Sequence, residues 1–416
     1  MADIVQAMER VRNGGIRAML PKEPVEALCE SMNIPFRNRL LTPIVTLQLF
    51  LLQVLTGNTA ITHLCHLSGL SFAKSSYSDA RVRLPLRLIR ALLRWTLKQA
   101  DVFCKNTIGP RIMIVDGSTF SMPDTPSLRE RFGLPKGNGI KEGVAYPAAK
   151  FIGMIDLASG MFIDCLCGTM FPNDMGLVSR LHPSLRPGDI LLGDRAFCSF
   201  SHVAMLNARD VFACFRLHQR RKVLPNARTQ RWMRPTSCPS WLNPAVLASF
   251  PAFLDVRIVS YHCARRGFRT KVIHIATTLP DDSVWTDEKV AELYGHRWKI
   301  ETCFRHLKTS MNSGVLKCKT VAGVAREHLM YLLAYNLIRL SMLRYALRRN
   351  VSVWRVSFID ALRRLQVQLI GLGGVDSLVL VPLRPGREEP RAIRRRMKEY
   401  DLLTVPRGEW KAKKGL

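Results

Sequence analysis

The spacing of apolar residues changes twice along the chain and divides it into three parts. Up to about residue 105, apolar residues recur at helical spacing between turn signals such as Gly57 and Pro85. From residue 111, short apolar runs alternate with helical segments, as in an α/β domain. From about residue 321 the spacing is helical again. We predict a helical N-terminal domain at 1–108, an α/β domain at 109–348 and a helical, basic C-terminal region at 349–416.

The α/β part carries the clearest strand signals. Residues 111–115 (RIMIV) and 189–193 (DILLG) are apolar runs typical of buried strands, and each is followed at once by an acid, Asp116 or Asp194. A β-hairpin is predicted between residues 146 and 167, and a helix and a further strand follow Asp194. The order β, hairpin, α, β, α, β is the succession expected of a ribonuclease-H-like domain.

This pattern breaks at about residues 219–280. No acid occurs between Asp210 and Asp255, whereas seven arginines and lysines do, and Trp232 and Trp241 lie among them. We predict a β-rich insertion whose basic and aromatic side chains lie along a phosphate backbone and stack on a base. The alternative is a β-rich module whose tryptophans belong to its own core.

Residues 294–308 (YGHRWKIETCFRHLK) predict a helix with an unusual polar stripe. Tyr294, Arg297, Glu301 and Lys308 fall within an arc of roughly 60° on one helix face, next to an apolar stripe. Such a helix would press one face into a core and hold one carboxylate, flanked by cations, at the edge of that core. Spacing alone fits a simpler interpretation too, an amphipathic helix with an ordinary Arg297–Glu301 ion pair.

Charge narrows the possible partners. The chain has 62 Lys and Arg against 32 Asp and Glu, a formal net charge of +30. Such a charge repels itself unless a polyanion offsets it, which indicates nucleic acid. No apolar run reaches the ~18 residues of a membrane span, so no membrane partner is expected. The 11 cysteines form no C-x-x-C pair, which predicts reduced thiols in the cytosol.

Both ends of the chain could contribute to DNA binding. The N-terminal helices carry Arg81, Arg83, Arg87 and Arg90, which suits a small helical DNA-binding module, although a plain helical bundle with a solvated basic face fits equally. Residues 394–398 (RRRMK) predict either a solvated end or a further contact with a partner or DNA.

The three acids suit metal-assisted chemistry at phosphorus. Two divalent cations catalyse in-line displacement by stabilising the attacking and leaving oxygens. Mg²⁺ prefers oxygen ligands and keeps several waters, so two or three carboxylates suffice. Asp116 and Asp194 could bridge one metal ion, and Glu301 could complete the second. Arg297 and Lys308 would then reach the phosphate backbone, because arginine and lysine are the usual phosphate ligands.

These residues resemble the motifs of a known family. The spacing Y-x2-R-x3-E-x6-K, from Tyr294 to Lys308, resembles the signature of transposases of the insertion-sequence-four group. Asp116-Gly117-Ser118 and residues 194–197 (DRAF) resemble that group's first and second acidic motifs, and the resemblance covers roughly residues 111–339. Members usually carry Glu or another residue where Ala196 stands, a departure that affects no metal ligand.

The resemblance implies a DDE transposase with a ribonuclease-H-like core and catalytic, metal-binding Asp116, Asp194 and Glu301. It implies Mg²⁺ as cofactor, with Mn²⁺ able to substitute, and a homodimer acting on double-stranded DNA at paired transposon ends. Water would free a 3′-hydroxyl at the element's end, and that hydroxyl would attack target DNA. The location implied is the bacterial cytoplasm, on the nucleoid when bound to DNA, with no small-molecule substrate.

The resemblance also implies DNA-binding residues. These candidates are Tyr294, Arg297, Lys308 and Arg195. Some relatives cut the second strand through a hairpin, with an aromatic side chain stabilising a flipped base. The tryptophans available for that role are Trp232, Trp241, Trp285 and Trp298.

Two other functions are consistent with parts of the sequence. A catalytically idle DNA-binding protein of the same fold, such as a transposition inhibitor, would need none of the three acids, and all three are present together with Lys308. Another two-metal nuclease, such as a junction resolvase, would not need the long insertion or the helix around Glu301.

Overall fold

The computed structural model describes residues 19–37, 39–104, 109–135, 145–169, 174–224, 228–262, 272–369, 378–383 and 405–414. Over these ranges the chain has a mixed α/β architecture built on an eight-stranded sheet. The helices are α1 (Lys22–Ser31), α2 (Pro43–Leu55), α3 (Ile61–Ser68), α4 (Lys74–Arg83), α5 (Leu86–Cys104), α6 (Pro126–Phe132), α7 (Asp174–Val178), α8 (Phe200–Asn207), α9 (Pro244–Ser249), α10 (Asp287–Gly295), α11 (Trp298–Arg305), α12 (Val321–Arg348), α13 (Phe358–Leu369) and α14 (Arg407–Lys414). The strands are β1 (Ile112–Ser121), β2 (Ala148–Asp156), β3 (Phe162–Gly168), β4 (Ile190–Gly193), β5 (Phe212–Arg216), β6 (Thr229–Met233), β7 (Phe253–His262) and β8 (Val272–Thr277).

The sheet has the order β3-β2-β1-β4-β5-β8-β7-β6. β1, β4 and β5 run parallel, and the predicted hairpin adds β2 and β3 antiparallel to them on one side. β1 is longer than predicted. It continues through Asp116 to Ser121, because β2 pairs with it over that whole length while the parallel pairing with β4 stops at Ile114. Asp116 therefore lies inside a strand rather than just after one.

The segment predicted as an insertion extends this same sheet. β8 pairs antiparallel with β5, and β7 and β6 follow it outward. Its basic side chains are largely used within the protein: Arg231 pairs with Asp255 and Arg228 pairs with two other aspartates. Trp232 is only 2% exposed. The expected base-stacking role does not fit Trp232, because its ring belongs to the core.

Two apolar cores lie on the two faces of the sheet. Along β1, alternate residues face opposite sides, so Ile114 joins one core and Val115 the other. The first core also contains the N-terminal helices and α12, which is buried along most of its length. α12 begins where helical spacing of apolar residues resumes in the sequence. The face of β1 that carries Asp116 is the face shared with α12 and α11.

The predicted single helix at residues 294–308 is three segments. α10 ends at Gly295, His296 and Arg297 form a turn, and α11 begins at Trp298. A π-helical segment, His306–Ser310, follows and contains Lys308. Gly295 weakens the helix at the break, since glycine has low helix propensity. The prediction of one continuous α-helix is therefore wrong, because a turn and a π-helical segment interrupt it.

Some predicted features lie outside the described residues, among them the basic run at 394–398 and the turn between β7 and β8. Within the described ranges, every helix is too short or too polar to span a membrane.

A buried carboxylate joins the N-terminal helices to the loop that follows the π segment. Glu327 on α12 is 0% exposed. Its oxygens accept hydrogen bonds from the backbone N–H groups of Lys317 (2.9 Å) and Cys318 (2.8 Å) and from the side-chain amide of Asn58 (2.5 Å). The same loop pairs with the end of β1, where Val315 bridges Ser121. Glu327 thus links α2's C-terminal turn, α12 and the strand that carries Asp116.

Replacement of this carboxylate should be costly. Glu327→Ala leaves three buried or part-buried donors without an acceptor, so we expect the free energy of unfolding to fall by about 3–5 kcal/mol. Urea denaturation measures this, with Glu30→Ala at an exposed position as the control. A loss equal to that of the control would contradict the linking role of Glu327.

Candidate active site

Asp116 stands on β1 in a largely enclosed position. Its side chain is 18% exposed, and Oδ1 accepts a hydrogen bond of 2.7 Å from the backbone N–H of Gly117. The site is on the edge of the first core, beneath α11. Here the strand supplies a rigid support, because β1 is paired on both sides up to Ile114 and on one side beyond it.

Asp194 stands at the same level on the neighbouring strand. Ile114 pairs with Leu192 in the parallel ladder, and two residues further on in each strand come Asp116 and Asp194. Neighbouring strands are about 4.8 Å apart, so the two acids lie side by side at the centre of the sheet. Asp194 Oδ1 accepts a 2.7 Å hydrogen bond from Ala196 N–H and caps the short 3₁₀ turn Arg195–Phe197. The sequence-based placement of these two acids side by side is consistent with this register.

Glu301 reaches the site from α11 through Arg297. The guanidinium of Arg297 lies between two carboxylates: Nη2 is 2.8 Å from Glu301 Oε1, and Nη1 is 3.4 Å from Asp116 Oδ2. The Arg297–Glu301 pair is the one that an ordinary amphipathic helix would also form. The contact to Asp116, 181 positions earlier in the chain, is what makes this a site.

The environment makes Asp116 an unusual carboxyl group. Burial raises its pKa to about 6, and the negative charges of Asp194 and Glu301 add to the rise. The Gly117 N–H and the Arg297 guanidinium favour the ionised form and oppose the rise only in part. A second cation at this position would stabilise ionised Asp116 further.

The donor set suits a divalent cation. The ligand atoms offered are carboxylate oxygens, which are hard donors of the kind Mg²⁺ and Mn²⁺ prefer. The site already holds one positive charge, the Arg297 guanidinium, between two of them. In the part of the chain that the structure describes, however, no three Asp, Glu, His or Cys side chains are grouped closely enough to form a preformed metal site. Waters and phosphate oxygens would complete the coordination of a metal ion held by these carboxylates.

The other predicted DNA-binding residues differ in their exposure to solvent. Arg195 is exposed, and its Nη1 donates a 2.7 Å hydrogen bond to Gln219. Tyr294 is only 8% exposed, and burial raises its pKa, with Arg297 and Asp194 among the charges acting on it. Lys308 is half-buried in the π segment, where its carbonyl accepts from Gly314 N–H in the loop beside β1.

Among the four candidate tryptophans, Trp298 is the most exposed to solvent, and it lies beside the site. Trp298 is 47% exposed and follows Arg297, whose guanidinium carbon is 4.9 Å from the centre of its ring. Trp241 and Trp285 are partly buried against the two cores. The solvent-facing side of the site is thus marked by Trp298 and by Glu301, whose side chain is 39% exposed.

No sequence pattern indicates the pair formed by His182 and His202 behind Asp194. His202 Nδ1 lies 2.7 Å from the carbonyl of Phe197 at the end of the Asp194 turn, and His202 Nε2 lies 3.0 Å from His182 Nε2. Burial lowers the pKa of His202 to about 4 and that of His182 to about 3, so both rings are neutral near pH 7. His202 then donates from Nδ1 to the turn and accepts from His182. No spacing rule links these residues, since the fold alone brings them together.

Comparison with known proteins bears on the same part of the chain. A family model described as "Transposase DDE domain" matches residues 107–337, which is more than half of the chain. "Transposase InsG for insertion sequence element IS4" of Escherichia coli K12 is 24% identical over 362 residues, covering 79% of this chain and 78% of that protein. "Putative transposase InsZ" of the same organism is 25% identical over 140 residues, 33% of this chain and 46% of that protein.

Among solved structures, a cryo-EM structure of the piggyBac transposase synaptic complex with hairpin DNA has a TM-score of 0.44 to this chain. The sequences are 11% identical, and the match covers 89% of this chain and 80% of the other.

The raised pKa of Asp116 predicts how stability changes with pH. Between about pH 4 and pH 6 the folded chain keeps a proton that the unfolded chain has lost, so this group's contribution to stability falls as pH rises through that window. Asp116→Asn removes the effect. In metal-free buffer the variant should be more stable than the wild type above pH 6, by about 1–3 kcal/mol, and nearly equal to it below about pH 4.

Urea unfolding at a series of pH values checks this, with Glu292→Gln, an exposed acid on α10, as the control. A stability difference that stays the same from pH 4 to pH 8 would show that Asp116 titrates normally.

Proposed function

Because this chain belongs to the DDE transposase family, and so is a DNA-cleaving and strand-transferring enzyme, we propose that it moves an insertion sequence of the insertion-sequence-four group. In this proposal it cuts at the element's terminal inverted repeats and joins the freed 3′-hydroxyl ends to target DNA. The observation that carries the proposal is the meeting of Asp116, from β1, with Glu301, from α11, on the guanidinium of Arg297. Asp194, just after β4, lies level with Asp116.

We assign the core to the ribonuclease-H-like class. Three antiparallel strands, β1–β3, are followed by β4 and β5 parallel to β1, and the first two acids lie on β1 and just after β4. Around this core we retain the division predicted from the sequence: a helical DNA-binding domain at 1–108, the catalytic domain at 109–348 with an insertion at about 219–280, and a helical, basic region at 349–416.

Asp116, Asp194 and Glu301 would hold the divalent metal, Mg²⁺ with Mn²⁺ able to replace it. Bound there, the metal would neutralise charge on the attacking and leaving oxygens of an in-line displacement. The chain's own contribution is a set of carboxylates held on a rigid sheet edge and on α11, partly shielded from water. Burial beside Asp194 and Glu301 makes ionised Asp116 unfavourable without a nearby cation, which favours binding of one.

Two displacements at phosphorus would cut one strand at each element end and join it to target DNA. In the first, a water oxygen bonds to phosphorus and the P–O3′ bond breaks, which leaves a 3′-hydroxyl on the element and a 5′-phosphate on the flanking strand. In the second, that 3′-oxygen bonds to a target phosphorus and the 3′-oxygen of the target strand leaves. No external energy source is needed, since each step replaces one phosphodiester P–O bond by another P–O bond.

Basic and aromatic residues around the acids would position the DNA. Lys308 and Arg195 would contact backbone phosphates as charges, and Arg297 would do so from its turn between α10 and α11. Tyr294, buried beneath Arg297, would support that turn and reach a phosphate only through a shift of its ring. Trp298 is exposed where a displaced base could stack.

Partners and location follow from the same proposal. The net charge of +30 supports binding to double-stranded DNA. Because an element has two ends, we propose a homodimer that holds both during cleavage. The enzyme would work in the bacterial cytoplasm on nucleoid DNA.

The three acids are the first test. Asp116→Asn, Asp194→Asn and Glu301→Gln should each lower the rates of cleavage and strand transfer by at least two to three orders of magnitude. Each removes a carboxylate ligand of the metal ion that would stabilise the transition state. DNA affinity should change little. The assay uses duplexes copied from the borders of the encoding element, uncut for cleavage and with a free 3′-end for strand transfer. Metal-dependent turnover surviving in any of the three would refute the assignment.

Lys308 provides a separate test of DNA contact. Lys308→Ala should weaken binding of the border duplex and reduce the slope of log K against log[salt] by about one, as expected for one lost phosphate contact. Arg348→Ala, an exposed cation at the end of α12, is the matched control. If both variants show the wild-type slope, Lys308 does not bind phosphate.

A further inference from the structure

Arg297 is buried between two of the proposed metal ligands. A residue expected to bind DNA phosphate is only 8% exposed, and both of its terminal nitrogens lie on carboxylates that we assign to the metal. Arginine stays protonated at any physiological pH, so its charge is permanent. The guanidinium therefore supplies, in the absence of metal and DNA, the positive charge that Asp116 and Glu301 require.

The same charge opposes a metal ion. A divalent cation bound to Asp116 and Glu301 would lie within a few ångströms of the guanidinium, where repulsion between like charges is strong in a partly buried site. The carboxylate oxygens now bonded to Arg297, Asp116 Oδ2 and Glu301 Oε1, are among those that could bind a metal. Metal binding through either oxygen would displace Arg297 from that partner.

Solvent reaches the site beside Arg297. Arg297 lies in the turn before α11, next to exposed Trp298 and to the Glu301 carboxylate, whose side chain is 39% exposed. Solvent, and hence a DNA phosphate, approaches from that side. A phosphate matches the planar fork of arginine as well as a carboxylate does, so it can replace one carboxylate as partner.

We propose that Arg297 is an internal counter-ion that holds Asp116 and Glu301 together before metal arrives and moves to a DNA phosphate when DNA binds. Divalent metal and DNA would then bind cooperatively, because DNA removes the charge that competes with the metal. By linkage the metal must raise DNA affinity by the same factor. The proposal rests on the proposed function, since it uses Asp116 and Glu301 as metal ligands.

The DNA-free protein gives the primary test. We expect Arg297→Gln to bind Mn²⁺ about ten-fold more tightly than the wild type, because a competing charge is removed from beside the ligands. Free Mn²⁺ is counted by electron paramagnetic resonance during a titration of the full chain. An affinity equal to or weaker than that of the wild type would overturn the proposal.

The second arm adds DNA. A duplex from one border of the element, ending at the cut site so that no bond remains to be hydrolysed, should raise the Mn²⁺ affinity of the wild type several-fold. Arg297→Gln should lose this increase, whereas Arg305→Gln, with the same charge change at an exposed position on α11, should keep it. Cooperativity that persists in Arg297→Gln would contradict the movement to phosphate.

Further variants separate failure of this inference from failure of the metal site. If Asp116→Asn and Glu301→Gln bind Mn²⁺ as the wild type does, the proposed metal site is wrong. If Asp116→Asn and Glu301→Gln bind Mn²⁺ more weakly than the wild type, but Arg297→Gln does not bind it more tightly, only the counter-ion role is wrong.

Should Arg297→Gln unfold without metal, Arg297→Lys takes its place. Its compact ammonium can pair fully with only one carboxylate at a time. Mn²⁺ should then bind to Arg297→Lys about two- to three-fold more tightly than to the wild type. It should also raise the melting temperature of the variant by more than it raises that of the wild type. An equal affinity and an equal shift in melting temperature would count against the proposal.

Discussion

The burial of the Asp116 carboxylate beside two other acids is the constraint on which the site depends. Asp116 and Asp194 are level on neighbouring parallel strands, and Glu301 approaches from α11. Burial is the main cause of the raised pKa of Asp116, and repulsion from the charges of Asp194 and Glu301 adds to it. The Arg297 guanidinium between two of them offsets part of that repulsion. A cation beside Asp116 therefore stabilises its ionised form before it has any role in chemistry.

The rest of the fold keeps those groups in place. Two apolar cores fix the sheet from both faces, and the His182–His202 pair supports the turn that carries Asp194. On the other face the long buried helix α12 packs against the N-terminal helices, and its Glu327 carboxylate holds the loop that pairs with the end of β1. The N-terminal helices are thereby joined to the strand of Asp116 through buried hydrogen bonds, which are costly to break.

Local patterns predicted much of the architecture. The run at residues 189–193, the hairpin and α12 each show apolar spacing that only one kind of element satisfies, and their bounds agree closely with the structure. The predicted strand bounds and neighbours were less accurate where pairing between distant strands decides them. β1 runs past Asp116 because β2 pairs with it further than β4 does. β6, β7 and β8 look like a separate module along the chain, yet β8 completes the free edge of β5, since an unpaired strand edge attracts a further strand.

The sequence by itself determined the motifs and their order: two acids after apolar runs, and Tyr294, Arg297, Glu301 and Lys308 at the family's spacing. These are properties of neighbouring residues, and short-range spacing records them. Only the tertiary structure decided that Arg297 joins Glu301 to Asp116 instead of standing exposed, and that a turn and a π segment divide the predicted helix. The physical reason is that a buried charge takes its partner from whichever element packs against it, and that partner lies 181 positions away in the chain.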